Sequence, residues 1–147
     1  MKKCILVIFS MLFLVACGNS NENAVCTRKE DIQELSVDIE YEKDDNKVVL
    51  VAYTTKINIE ESSYTKEDLE TNGKEYETTI KTVNGVSYSY EIKDNVYTEI
   101  LEIDLEEGDL DALSKLGLIT KSSDDAKTVK LKSLFDNYEA LGLECEQ

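Results

Sequence analysis

The sequence predicts an α+β domain: a four-stranded antiparallel sheet in the chain order ββαββαα, with its helices packed on one face. Three observations carry the prediction. Residues 34–59 and 86–105 each hold a pair of segments whose apolar residues recur at period two, while residues 64–83 and 131–141 repeat at helical spacing. Each strand pair is joined by a short Asp/Asn turn, which suits antiparallel neighbours. Strand pairs alternating with helices give a layered α+β arrangement.

In the first pair, Leu35, Val37, Ile39 and Tyr41 alternate with Ser36, Asp38, Glu40 and Glu42, as in a half-buried strand. A three-residue loop, Asp44-Asp45-Asn46 with Asn46 left-handed, would set Tyr41 opposite Val49, Ile39 opposite Val51 and Val37 opposite Tyr53. That register leaves Val48, Leu50 and Ala52 on the second face of the return strand. Either another element covers that face or Val48, Leu50 and Ala52 form an interaction surface.

Thr65 and Asp68 have capping-box spacing, and Tyr64 and Leu69 occupy the staple positions of the helix that follows. Leu69, Tyr76, Ile80 and Val83 share one face, Gly73 is a weak point, and Asn84-Gly85 ends the helix. In the second hairpin a two-residue Asp94-Asn95 loop places Ile92 opposite Tyr97, Tyr88 opposite Leu101 and Val86 opposite Ile103. Tyr88 and Tyr90 then read as core packing. Glu99 breaks the apolar face, opposite Tyr90. Asp109 caps a short helix through Leu116, which Gly117 stops. Leu131, Leu134, Phe135, Tyr138 and Leu141 form the face of the last helix, with Gly142 after it.

Ahead of this domain, Lys2 and Lys3 precede an apolar run, Ile5 to Phe13, too short to span a bilayer but suited to a signal peptide. The run closes on Leu14-Val15-Ala16-Cys17, which resembles a lipobox. The expected organisation is a signal peptide over 1–16, a flexible tether over 17–25 and a single α+β domain over 26–147. Cys17 would carry lipid, with palmitate-type chains. Several acyl chains anchor durably where one holds only marginally. The protein would then sit on the extracytoplasmic side of the cell membrane.

Of four cysteines, Cys4 would leave with the signal and Cys17 take the lipid. Cys26 and Cys145 remain, and in an oxidising compartment they suggest a disulfide. The chain has 16 basic and 31 acidic residues, a net charge of −15. Losing Lys2 and Lys3 makes it more acidic still. This argues against nucleic acid as a partner. There is no histidine, which removes the commonest general base and transition-metal ligand and lowers the prospect of an enzyme. The acidic run Asp104, Glu106, Glu107, Asp109, Asp111 lacks calcium-loop spacing and reads as solvated linker and helix cap.

The lipobox, the strand pair with its acidic turn, the helix after Ser63-Tyr64-Thr65, the Val86-x-Tyr88-x-Tyr90 hairpin and the closing helix from Leu131 to Leu141 with Gly142-Leu143 together resemble the YehR-like family of uncharacterised bacterial lipoproteins. The resemblance implies an α+β fold with an antiparallel sheet and brings no catalytic or binding residues. The expected function is therefore a lipid-anchored, non-enzymatic binding or interaction domain. No cofactor and no catalytic or metal residues are expected. Its partners would be the membrane, through the lipid, and an envelope protein or small ligand. The alternative is a solute- or cation-binding accessory of an envelope transporter.

Overall fold

A computed structural model of the chain describes residues 20–121 and 127–147. The expected signal peptide over 1–16 and the expected lipidation site Cys17 lie outside the described residues. The described residues form β1 (Asn21–Lys29), β2 (Gln33–Glu42), β3 (Lys47–Asn58), α1 (Lys66–Ile80), β4 (Val86–Lys93), β5 (Val96–Asp104), α2 (Leu110–Lys115), α3 (Leu131–Ala140) and β6 (Glu144–Glu146). The strands make one antiparallel sheet in the order β4-β5-β3-β2-β1-β6. The fold is α+β, but the expected four-stranded sheet is corrected to six strands.

The two additional strands explain the correction. In β1 only Ala24 and Cys26 are buried, Val25 between them is apolar too, and the other six residues are polar, so the segment carries almost no apolar period. It pairs with β2 along its whole length nonetheless. The expected tether over 17–25 is thus strand from Asn21 onward. The Ser20 carbonyl accepts from the Lys43 amide, and Glu22 takes the Tyr41 hydroxyl at 3.0 Å as well as the Lys43 ammonium. β6 is three residues long, and its middle residue is tied to β1 by the Cys26–Cys145 disulfide, which closes a loop of sequence separation 119. Cys26 and Cys145 are direct cross-strand partners, as are Val25 and Glu146.

The second hairpin has the expected register: Ile92 faces Tyr97, Tyr90 faces Glu99, Tyr88 faces Leu101 and Val86 faces Ile103. Asp94 and Asn95 both have positive φ, 51° and 62°, as a two-residue type I′ turn requires. The first hairpin differs. Glu42 pairs with Lys47 across a four-residue loop, and a bulge between Tyr41–Val48 and Glu40–Leu50 then restores the expected pairs Ile39–Val51 and Val37–Tyr53. The extra residue is Val49, and it turns Val48 inward, to 1% exposure. Val48 is therefore a core residue, not part of an interaction face. Leu50 and Ala52 remain on the outer face, half-buried.

The inner face carries the core. One row of cross-strand partners runs Tyr88, Leu101, Tyr53, Val37, Cys26, Cys145 across the whole sheet. The row beside it, Val86, Ile103, Val51, Ile39, Ala24, is the best buried, with Ile103 at 0% and Ile39 at 1% exposure. Leu113 of α2 and Leu131, Leu134 and Tyr138 of α3 pack into the same cluster. The α3 entry is held by the first hairpin: the Leu131 amide donates to the Asn46 carbonyl and the Val48 amide to the Val129 carbonyl. Its exit is held by β1, since Arg28 Nη1 donates to the Leu141 carbonyl at 2.9 Å.

Helix α1 lies over β4 and β5. Thr65 and Asp68 form the capping box, each side chain bonding the other residue's backbone amide. Leu69 and Ile80 are buried, whereas Tyr64 and Tyr76 keep 48% and 38% exposure. Gly73 faces the sheet. A Cβ there would fall 2.8 Å from the Tyr90 ring, so the missing side chain is what lets the helix settle onto that strand.

Candidate ligand-binding groove

Helices α1 and α3 cover different halves of the inner face, and between them the sheet is open. Two cavities flank the gap. The first, of about 420 Å³, has a floor of Leu35, Tyr53, Thr55, Glu99 and Leu101, with Tyr76 and Asn72 of α1 on its wall and Tyr88 and Tyr97 beside the acid. The second, of about 360 Å³, lies toward α3 and shares Tyr53, Tyr76 and Leu101 with the first. Tyr76 thus stands between the two. Both volumes are in the range of small-molecule sites, about 300–1,000 Å³.

The sheet register decides what reaches the floor. Leu35, Thr55, Glu99 and Tyr90 are successive partners in one row, next to the row containing Tyr53, Leu101 and Tyr88. A carboxylate is thereby set among rings on the face that elsewhere holds the core. Its Oε2 lies 2.9 Å from the Tyr88 hydroxyl and 3.1 Å from the Tyr97 hydroxyl, and the two hydroxyls are 3.0 Å apart. Three oxygens share two hydroxyl protons, so two of the three contacts are donated hydrogen bonds. Oε1 accepts no hydrogen bond from the described residues.

The phenols respond to this setting. Burial raises the Tyr88 hydroxyl pKa above its usual value, helped by the Tyr97 hydroxyl and the Glu99 charge. Burial likewise pushes Tyr97 up to about 12, with Glu99 adding to the rise. Tyr76 is raised by burial and by the charge of Glu99. On the α3 side, the Tyr53 and Tyr138 hydroxyls meet at 2.6 Å with their rings edge to face, and burial raises both. All of these groups are neutral donors near neutral pH, and among the described residues Glu99 is the one charged residue lining the first cavity.

Cys26 and Cys145 are joined. Leu50 sits between Glu40 and Asp104 on the outer face, and Ala52 between Asp38 and Glu102, so four carboxylates fence the two apolar residues. In the acidic link, Asp104 Oδ1 accepts the amides of Glu106 and Glu107, and Asp109 Oδ1 those of Asp111 and Ala112. These are turn and cap roles. Among the described residues no three Cys, Asp or Glu side chains gather as a metal site, and no helix is long and apolar enough to cross a membrane.

Glu99 is conspicuous in the sequence, but its surroundings are not. Tyr76 was legible as an inward position of α1, and Tyr53 as an inward position of β3. Their meeting around Glu99 depends on β5 lying beside β3. Tyr90 packs under Gly73, as core packing implies, whereas Tyr88 lines the groove instead.

A model of a family described as protein of unknown function, DUF1307, matches residues 26–144. The chain belongs to the DUF1307 family. The expected YehR-like kinship holds. The chain is similar to the NMR structure of the E. coli YehR protein, at 23% identity and a TM-score of 0.68, over 87% of this chain and 92% of that one. It is also similar to the NMR structure of a protein from Streptococcus pneumoniae TIGR4, at 15% identity and a TM-score of 0.58, over 99% and 94%. These likenesses show the fold alone. No curated protein matches the chain.

Proposed function

We propose that this DUF1307 protein is a lipid-anchored extracytoplasmic domain that binds a small ligand in the groove between α1 and α3 and performs no catalysis. The observation that carries the reading is Glu99: a carboxylate set among tyrosine rings at the floor of a cavity of about 420 Å³, whose Oε1 accepts no hydrogen bond from the described residues. Two-carboxylate hydrolytic chemistry needs a second acid, and among the described residues none lines that cavity.

The lipobox ending at Cys17 supports the anchor, and the Cys26–Cys145 disulfide suits an oxidising compartment. β1 begins at Asn21, close behind Cys17, so the anchor would hold that end of the sheet near the bilayer. Along β1, the row of Cys26 and Tyr53 is about 17 Å from Asn21 and the row containing Glu99 about 23 Å, at ~3.3 Å per residue. The groove would then lie toward the end of the domain away from the membrane. A transporter accessory would use the same groove to hold its solute.

Two experiments test this. Cys17→Ser is expected to move the protein from the membrane to the soluble fraction, and an unchanged distribution would refute the anchor. Native mass spectrometry of the full chain mixed with a small-molecule extract is expected to show retained ligand for the wild type. Leu101→Trp, which fills the groove, is expected to lose it. Equal retention by a folded Leu101→Trp protein would remove the groove as the site.

A further inference from the structure

The groove's lining narrows the chemistry of its ligand. We infer that it binds a small organic cation, whose alkylammonium head is held by Glu99 and the tyrosine rings around it; the inference rests on the groove being the ligand site. Four tyrosines, Tyr53, Tyr76, Tyr88 and Tyr97, line the first cavity together with Glu99, and among the described residues no lysine or arginine does. The ring faces of tyrosine carry negative electrostatic potential and attract ammonium groups, the more so where water is partly excluded.

The hydrogen-bond inventory points the same way. The Tyr88 and Tyr97 protons are committed to the cluster around Glu99 Oε2, and Tyr53 is engaged with Tyr138. What remains at the acid is Oε1, an acceptor. An anionic ligand would meet the Glu99 charge with no compensating cation among the described lining residues. A neutral ligand would leave that charge half-buried and unpaired, which is costly. A metal ion would find one carboxylate where six to eight oxygens are the norm for calcium. An alkylammonium ligand pairs the charge and covers the rings. The net charge of −15 favours its approach.

The test uses the full chain purified in a maltoside detergent, which carries no charge. Choline and n-butylammonium are titrated at constant ionic strength, alongside 3,3-dimethylbutan-1-ol, the neutral carbon counterpart of choline. Binding is read by calorimetry and by tyrosine fluorescence, which no tryptophan obscures. Saturable binding of at least one ammonium is expected, with the neutral alcohol about tenfold weaker or worse. Glu99→Gln is expected to weaken the ammonium by a similar factor while the thermal midpoint confirms a folded protein. Thr55→Lys gives a second, independent variant. Thr55 is the cross-strand partner of Glu99 on the same face, so its lysine would supply a tethered ammonium and exclude the free one.

Equal affinity for the neutral alcohol overturns the inference, as does undiminished ammonium binding by a folded Glu99→Gln or Thr55→Lys protein. So does the absence of saturable binding by either ammonium at millimolar concentration. If the alcohol binds as well as choline and Leu101→Trp abolishes both, the groove stands and only the cationic ligand falls. If Leu101→Trp changes nothing for any ligand, the groove itself falls.

Discussion

Glu99 of β5 accepts the hydroxyl of Tyr88 of β4 at 2.9 Å, across a diagonal of the hairpin. The register makes this contact: Glu99 is the direct partner of Tyr90 and Tyr88 that of Leu101, so the phenol reaches one row along the sheet. A carboxylate held this way adds little to a sheet face that could be packed with leucine. Glu99→Leu is therefore expected to change unfolding free energy by less than about 1 kcal/mol, or to raise it, because the two hydroxyls can still bond each other. Urea denaturation measures this. A loss above about 3 kcal/mol would make Glu99 a structural residue.

The buried phenols predict alkaline unfolding. An unfolded tyrosine ionises near pH ~10, whereas Tyr97 is pushed up to about 12 and Tyr53, Tyr88 and Tyr138 are also raised, chiefly by burial. Below pH ~10 both states hold these protons and stability is unaffected by them. Above it the unfolded chain releases protons that the fold retains, so stability falls as pH rises toward 12 and beyond. The denaturation midpoint should drop over that window, and Tyr88→Phe with Tyr138→Phe should flatten the drop. Parallel curves for variant and wild type would refute the assignment to these two residues.

Gly73 offers a test of packing against propensity. At an exposed helical site Gly→Ala gains about 1 kcal/mol. Here the added Cβ would lie 2.8 Å from the Tyr90 ring, so overpacking is expected to dominate and Gly73→Ala to lose about 1–2 kcal/mol. Adding Tyr90→Leu should remove the clash and recover part of the loss. A stabilised single variant would show that α1 shifts freely over β4.

The Cys26–Cys145 bridge closes nearly the whole described fold. Intact mass should rise by about two hydrogens on reduction. The chain-entropy account assigns such a loop about 5 kcal/mol, and Cys26→Ala with Cys145→Ala is expected to cost ~3–5 kcal/mol of stability. Hydrogen exchange should show β6 losing protection first, since three residues pairing with one strand have little else to hold them. Unchanged stability without the bridge would mean that packing of Leu143 and α3 suffices.

Much of the candidate site could be read from particular residues. Glu99 stood out because a period-two apolar face makes any acid on it conspicuous, and Asp94-Asn95 set the hairpin register that brings Tyr88 to it. The groove around it could not be read. It exists because β5 pairs with β3 and because α1 and α3 cover opposite halves of one face, and no local pattern encodes which strands become neighbours.

The sequence by itself determined the local structure: four of the strands, the three helices, the capping box at Thr65, the turn at Asp94-Asn95 and the partnership of Cys26 with Cys145. Each follows from side-chain periodicity, capping chemistry or the count of cysteines. Only the tertiary structure decided that Asn21–Lys29 and Glu144–Glu146 are strands. Their stability comes from backbone pairing with β2 and β1 and from the disulfide, not from apolar patterning of their own. It also decided the fate of Val48. Five consecutive apolar residues, Val48 to Ala52, carry no period, so a bulge at Val49 could turn Val48 into the core while Leu50 and Ala52 stayed outside.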